Sequence, residues 1–168
     1  MNYINKSVVT NNLKQSTLKR KIYFSGVGVH NGRAVSMSIE PADVDCGIVF
    51  KRTDIGNNNE VKATIDNVVD SRLCTKISNG NGVSISTIEH IMAAFSALNL
   101  DNVLVKINSP ELPALDGSSN EYIKKILNAG IKNQNKKRKF FKILKKVEVK
   151  NGDRFITITP SSEFSINI

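Results

Sequence analysis

The stretch that most constrains the fold is residues 84–98, SISTIEHIMAAFSAL. A short β-type run ending in Ile85 gives way to Ser86-x-x-Glu89, and apolar residues then recur at Ile88, Ile91, Met92, Phe95 and Leu98. That spacing is helical, and a hydroxyl three residues ahead of a carboxylate is the capping-box signature of a helix start. The pattern predicts an amphipathic helix over 87–98 with Glu89 and His90 in its first turn, where backbone N–H groups are unpaired and the dipole favours anions. Two readings stand side by side. Glu89 can complete the cap while His90 is an ordinary surface or core histidine, or the two can form an acid/base and ligand pair at the helix mouth. The residues on the face of His90 are Ala93, Ala94 and Ala97, small enough to let another element pack close. Ala94 also occupies the position where a zincin would carry its second histidine, so this helix offers one metal ligand and one acid/base group.

Strand and turn signals surround this helix. Residues 17–24 read as a strand that ends in a glycine-rich turn over 26–32, followed by an alternating strand over 34–40 that Pro41 ends. No Lys-Ser/Thr follows the glycines, which excludes a P-loop. Further strands are expected over 47–53 and 61–65. Residues 72–78 and 83–85 flank Asn79-Gly80-Asn81-Gly82, a hairpin signal. After the helix come a strand over 103–107, a rigid connector at Ser109-Pro110-Glu111-Leu112-Pro113, and a second helix over 119–129 ended by Gly130. A last hairpin is expected over 142–150 and 154–159, and the alternating 164–166 segment looks like a strand without partners. Strands punctuated by two helices indicate an α+β fold. The expected organisation is a flexible N-terminal extension over 1–15, an α+β domain over 16–131, a basic linker over 132–141, and the start of a truncated second domain over 142–168.

The formal charge of +9 raises the question of an anionic partner. Nine Lys and Arg residues lie between 132 and 150 with Glu148 as the only acid there, so the basicity is local and reads first as a solvated linker. Phe140 and Phe141 are the only aromatics in that run, and no nucleic-acid motif accompanies them, so nucleic acid is not the expected partner. No apolar run approaches the ~20 residues of a membrane span, which leaves at most a transient contact with a membrane surface. Cys46 and Cys74 are far apart and form no CxxC pair, consistent with a reduced, cytoplasmic protein.

GVGVHNG (26–32), ISTIEHIMAAFSALNLDNV (85–103) and PELPALDGSS (110–119) occur in this order, with SRLCT at 71–75. Together they closely resemble the N-terminal half of the bacterial UDP-3-O-acyl-N-acetylglucosamine deacetylases, zinc amidases of lipid A biosynthesis. The resemblance covers about residues 16–168. It implies two similar α+β domains, each a sheet with two helices, with the active site between them. It further implies a Zn²⁺ cofactor and a UDP-linked acylated amino sugar as substrate, whose N-acetyl amide is hydrolysed with release of acetate. By the same resemblance His90 is a zinc ligand, Glu89 is the general base for the attacking water, and Leu73, Cys74 and Thr75 line the cavity near the scissile amide. His30 and Asp116 match motif positions with supporting roles. An amide is a poor electrophile, and zinc answers this by polarising its carbonyl. A catalytic zinc needs about three protein ligands, and the sequence has two histidines in all. The family's other ligands, a His and an Asp one turn apart, and its general acid come from the C-terminal domain. The 168-residue chain alone is therefore expected to be inactive, and a non-catalytic remnant or binding module is the alternative.

Overall fold

The computed structural model describes residues 14–167. Most of the N-terminal extension expected over 1–15 lies outside these residues; Lys14 and Gln15 belong to the first strand. The chain divides into two units, Met1–Arg138 and Lys139–Ile168, and its α+β class is the one expected.

The first unit is built on a five-stranded sheet in the order β2-β3-β9-β4-β5: β2 (Ile22–Val27), β3 (Ala34–Pro41), β4 (Ile48–Arg52), β5 (Glu60–Lys62) and β9 (Val103–Ile107). All pairings are antiparallel except β4 with β9. Alternation decides which face is covered. Val35, Met37 and Ile39 of β3 and Val103, Val105 and Ile107 of β9 are buried, whereas the intervening Ser36 and Lys106 are not. Onto that face pack α1 (Glu89–Ala97), through Ile91, Ala94 and Phe95, and α2 (Asn120–Ala129), through Tyr122, Ile126 and Ala129. Full burial of each large side chain here contributes about 1.5–3 kcal/mol. Tyr122 packs against Phe24 with ring centroids 5.0 Å apart. Gly130, at φ +81°, closes α2 by donating to the Ile126 and Leu127 carbonyls, the stop its sequence position predicts.

A three-stranded sheet of β6 (Val68–Asp70), β7 (Lys76–Ser78) and β8 (Ser84–Ser86) leads into α1, with a 3-10 turn at Ile65–Asn67 before it. The strand expected over 17–24 is two strands. β1 (Lys14–Leu18) pairs with β10 (Ile131–Lys137), while β2 pairs with β3. Most of the expected basic linker over 132–141 is thus a paired strand of the first unit. Its backbone is held by β1, and Gln134 reaches the buried Asn102 at 2.7 Å. Arg138 adds an ion pair to Asp101 at 2.7 Å.

The second unit contains the hairpin of β11 (Val147–Asn151) and β12 (Arg154–Ile158) around Gly152. Val147 faces Ile158 and Val149 faces Ile156 across it, so these four apolar side chains share one side with the Asn151–Arg154 pair, and all four are exposed. Residues 164–166, expected as a strand, pair with no strand among the described residues.

Candidate functional site

The capping box expected at Ser86 and Glu89 does not form. Helix α1 begins at Glu89 with Ile88 as its N-cap residue and no side-chain cap. Ser86 instead ends β8, where its N–H and hydroxyl both donate to the Pro110 carbonyl, at 2.9 and 3.2 Å. Its carbonyl accepts from Leu112 N–H at 3.2 Å, giving a parallel bridge between Ser86 and Glu111. Pairing with a distant segment has replaced the local cap. The freed carboxylate of Glu89 accepts a hydrogen bond from the Thr75 N–H. Glu89 is half-buried, and burial opposes its charge. The Thr75 and first-turn N–H groups, with His90 beside it, outweigh that effect and hold the carboxyl below the usual carboxylate range. At neutral pH it is an anion able to accept a proton.

Thr87 makes this junction possible. A β-branched residue at φ +62° is a steric outlier, and two contacts hold it there. Its N–H donates to the Thr75 carbonyl at 3.1 Å, and its hydroxyl donates to Glu111 Oε1 at 3.2 Å. Glu111 is 2% exposed. The same carboxylate accepts the His30 N–H through Oε1 and the Asn31 N–H through Oε2, each at 2.9 Å. One buried side chain therefore ties the glycine-rich turn to the start of α1. The turn is tight because Gly28 lies against it: a Cβ on Gly28 would sit 2.6 Å from Glu111 Oε2 and 2.5 Å from Asn31 Oδ1.

His30, Leu73 and Cys74 line one cavity of ≈ 730 Å³ together with Arg72, Ser86 and Glu111. Leu73 is exposed, and Arg72 is paired with Asp70 at 2.9 Å. Thr75 adjoins this wall and holds Glu89. Glu89 and His90 are not among the lining residues, and His90 is half-buried in the first turn of α1. Asp116 stands apart. It is exposed and organises its own turn, accepting from both the N–H and the hydroxyl of Ser118 at 3.0 Å. The structure thus gathers His30, Leu73, Cys74, Thr75, Glu89 and His90 around the Thr87 junction and leaves Asp116 outside it. Sequence reasoning passed over Thr87 and Glu111. The available signal was a carboxylate between two prolines in the same segment as the glycine-rich turn's partners, and it does not reveal contacts some eighty residues away.

Among the described residues no group of three His, Cys, Asp or Glu side chains is placed to hold a metal ion. His90 offers one imidazole, and the side chains present do not by themselves make a zinc site.

The family described as LpxC, UDP-3-O-acyl N-acetylglycosamine deacetylase, matches residues 15–168. The chain belongs to this family. Curated deacetylases of this name are 42% identical in Francisella tularensis subsp. tularensis over 92% of this chain, and 43% identical in Geotalea uraniireducens over 91% of it. A third, from Actinobacillus succinogenes, is 39% identical over 92%. The matched region covers 56%, 50% and 51% of those proteins' own lengths, so the chain spans about half of each deacetylase it resembles. No helix among the described residues is long and apolar enough to cross a membrane.

Proposed function

We propose that this chain supplies the N-terminal half of a deacetylase that hydrolyses the N-acetyl amide of UDP-3-O-acyl-N-acetylglucosamine, as the names of its relatives describe. One observation carries the reading. Within a family match that spans the described residues, the Glu89 carboxylate is kept ionised in the first turn of α1, against Thr75 of the SRLCT stretch and next to His90. In this role Glu89 takes the proton of the attacking water, an effect worth typically ~10²–10⁴-fold. Thr75 fixes the carboxylate, and Leu73 and Cys74 shape the wall beside the amide. His90 is one ligand of a metal whose other donors lie in the half of the relatives that this chain does not span. The substrate's UDP-linked sugar and acyl chain are partners by the same reasoning.

The test is complementation. The C-terminal half of the Francisella tularensis relative, supplied as a separate chain or fused in frame, should produce acetate release from UDP-3-O-acyl-N-acetylglucosamine, while the 168-residue chain alone should produce none. A complemented protein that binds the substrate without hydrolysing it would favour a non-catalytic binding module instead.

A further inference from the structure

We propose that Glu111 is a positioning residue of this site, fixing the His30–Asn31 turn against the β8–α1 junction that carries Glu89 and His90. The inference rests on the proposed deacetylase role only for its consequence in catalysis; the positioning stands on geometry. A carboxylate that is 2% exposed is costly to bury without compensation. Glu111 meets that cost with three donors: the His30 N–H, the Asn31 N–H and the Thr87 hydroxyl. None of them is a cation. A structural ion pair would recruit Lys or Arg, whereas this arrangement uses the charge to grip two backbone amides of one turn and one hydroxyl of another. The three donors belong to two separate segments, and each segment bears residues of the candidate site: His30 in the first, Glu89 and His90 just after Thr87 in the second.

The surroundings fit such a clamp. Gly28 leaves the space that the carboxylate occupies, since any Cβ there would lie 2.6 Å from Oε2. Backbone bonds between Ser86 and Pro110, and between Leu112 and Ser86, hold Glu111 at fixed height beside β8. Thr87 remains at φ +62° while its hydroxyl reaches Oε1. Strain held by an over-determined contact is the arrangement by which a site keeps one geometry. Glutamine is the informative replacement. It preserves shape but offers one acceptor oxygen, and its NH₂ group faces an N–H or hydroxyl donor.

The first arm uses the 168-residue chain itself and needs no activity. In Glu111→Gln, amide hydrogen exchange followed by NMR should accelerate at least tenfold at His30 or Asn31, with an upfield shift of the same proton, while the β9 amides stay protected. Unchanged exchange at both residues would overturn the inference. If Glu111→Gln does not fold, Thr87→Gly decides: glycine accepts the positive φ but removes the hydroxyl bond. Exchange should then accelerate at the residue-87 amide, which donates to the Thr75 carbonyl, with His30 and Asn31 unaffected, and an unchanged residue-87 amide would overturn the clamp. The second arm uses the complemented protein, where Glu111→Gln should lower kcat tenfold or more and leave KM within about twofold. An active wild type with an equally active variant would refute positioning and leave the proposed function intact. An inactive wild type would refute the proposed function, and the exchange arm would still decide the role of Glu111.

Discussion

Asn102 joins three parts of the first unit, and replacing it should weaken that unit sharply. The side chain is 1% exposed. Its Oδ1 accepts the Gly47 N–H at 2.8 Å, and its Nδ2 donates to Gln15 Oε1 at 2.8 Å and to Gln134 Oε1 at 2.7 Å. Asn102→Ala removes three hydrogen bonds at about 1 kcal/mol each. Part of the penalty for stranded partners adds to this. Gln15 Oε1 keeps the Asp45 N–H at 2.9 Å, and the half-buried Gln134 can turn to water, which leaves Gly47 as the main orphan. The expected loss is about 3–4 kcal/mol, a large share of the ~5–15 kcal/mol typical of a domain. Asn102→Asp is the sharper test, because it sets oxygen against two carbonyl oxygens. Gln15 cannot reverse its amide without giving up its donation to Asp45 Oδ1 at 2.8 Å, so the aspartate should cost at least as much as alanine. Urea unfolding followed by circular dichroism measures both as shifts in midpoint at constant slope. An aspartate variant as stable as the wild type, or an alanine variant weakened by less than about 1 kcal/mol, would show that the network does not hold β1 and β10 in place.

Burial alone would raise the Glu40 carboxyl, but hydrogen bonds from Lys21, Lys106 and Ser38 outweigh it and bring its pKa to about 2. A depressed carboxylate contributes stability above its ordinary value near 4.5 and loses it as pH falls toward 2. In acid titrations of unfolding, Glu40→Gln should therefore reduce the stability lost across that pH window by about 1 kcal/mol, since solvent screens the lysine pairs. Gly28→Ala should destabilise the chain by about 1–3 kcal/mol through overpacking against Glu111, measured by thermal or urea unfolding. In the complemented protein, Glu89→Gln retains an oxygen for the Thr75 N–H, so stability should change by no more than ~1 kcal/mol. Its kcat should fall about 10²-fold or more, and metal analysis should find the metal still bound. His90→Ala should lose bound metal and activity together, and metal retained at wild-type occupancy would remove His90 from the ligand set.

Local pattern revealed some elements of this chain and hid others for identifiable reasons. β9 is visible in VLVKI as a short apolar, β-branched run bounded by Asp101-Asn102 and Ser109-Pro110. Gly130 is visible because a positive φ after a helix favours glycine. β10 is not visible in IKNQNKK, which lacks alternation and has no strong β former after Ile131; its strand state comes from backbone pairing to β1 and from Gln134 reaching Asn102. The break between β1 and β2 was equally hidden, because Lys19-Arg20-Lys21 brings no glycine or proline to mark a stop, and nothing local discloses that the two ends join different sheets. Ser86 and Glu89 carried the correct helix start to within two residues, yet the bond that signature describes gave way to tertiary partners at Pro110 and Thr75. In the candidate site, adjacency in sequence exposed the Glu89–His90 pair. Glu111 gave no such sign, because its partners lie far along the chain.

The order of strands in the main sheet has a consequence for how the chain emerges from a ribosome. β9 is the last of the five strands to be synthesised, yet it lies at the centre, with β3 on one side and β4 on the other. Until residue 107 has appeared, the β2–β3 hairpin and the β4–β5 hairpin have no common strand to join them. Each is a two-stranded piece, marginal by itself in water. The loop closures that unite them span about sixty residues, from β3 and β4 to β9, and such non-local pairing slows folding. The nascent chain therefore passes through a stage in which two hairpins display apolar faces and unpaired edges together. Destabilising changes in β9 should act on this stage, lowering the yield of soluble protein during synthesis more than the equilibrium stability of the finished chain would suggest.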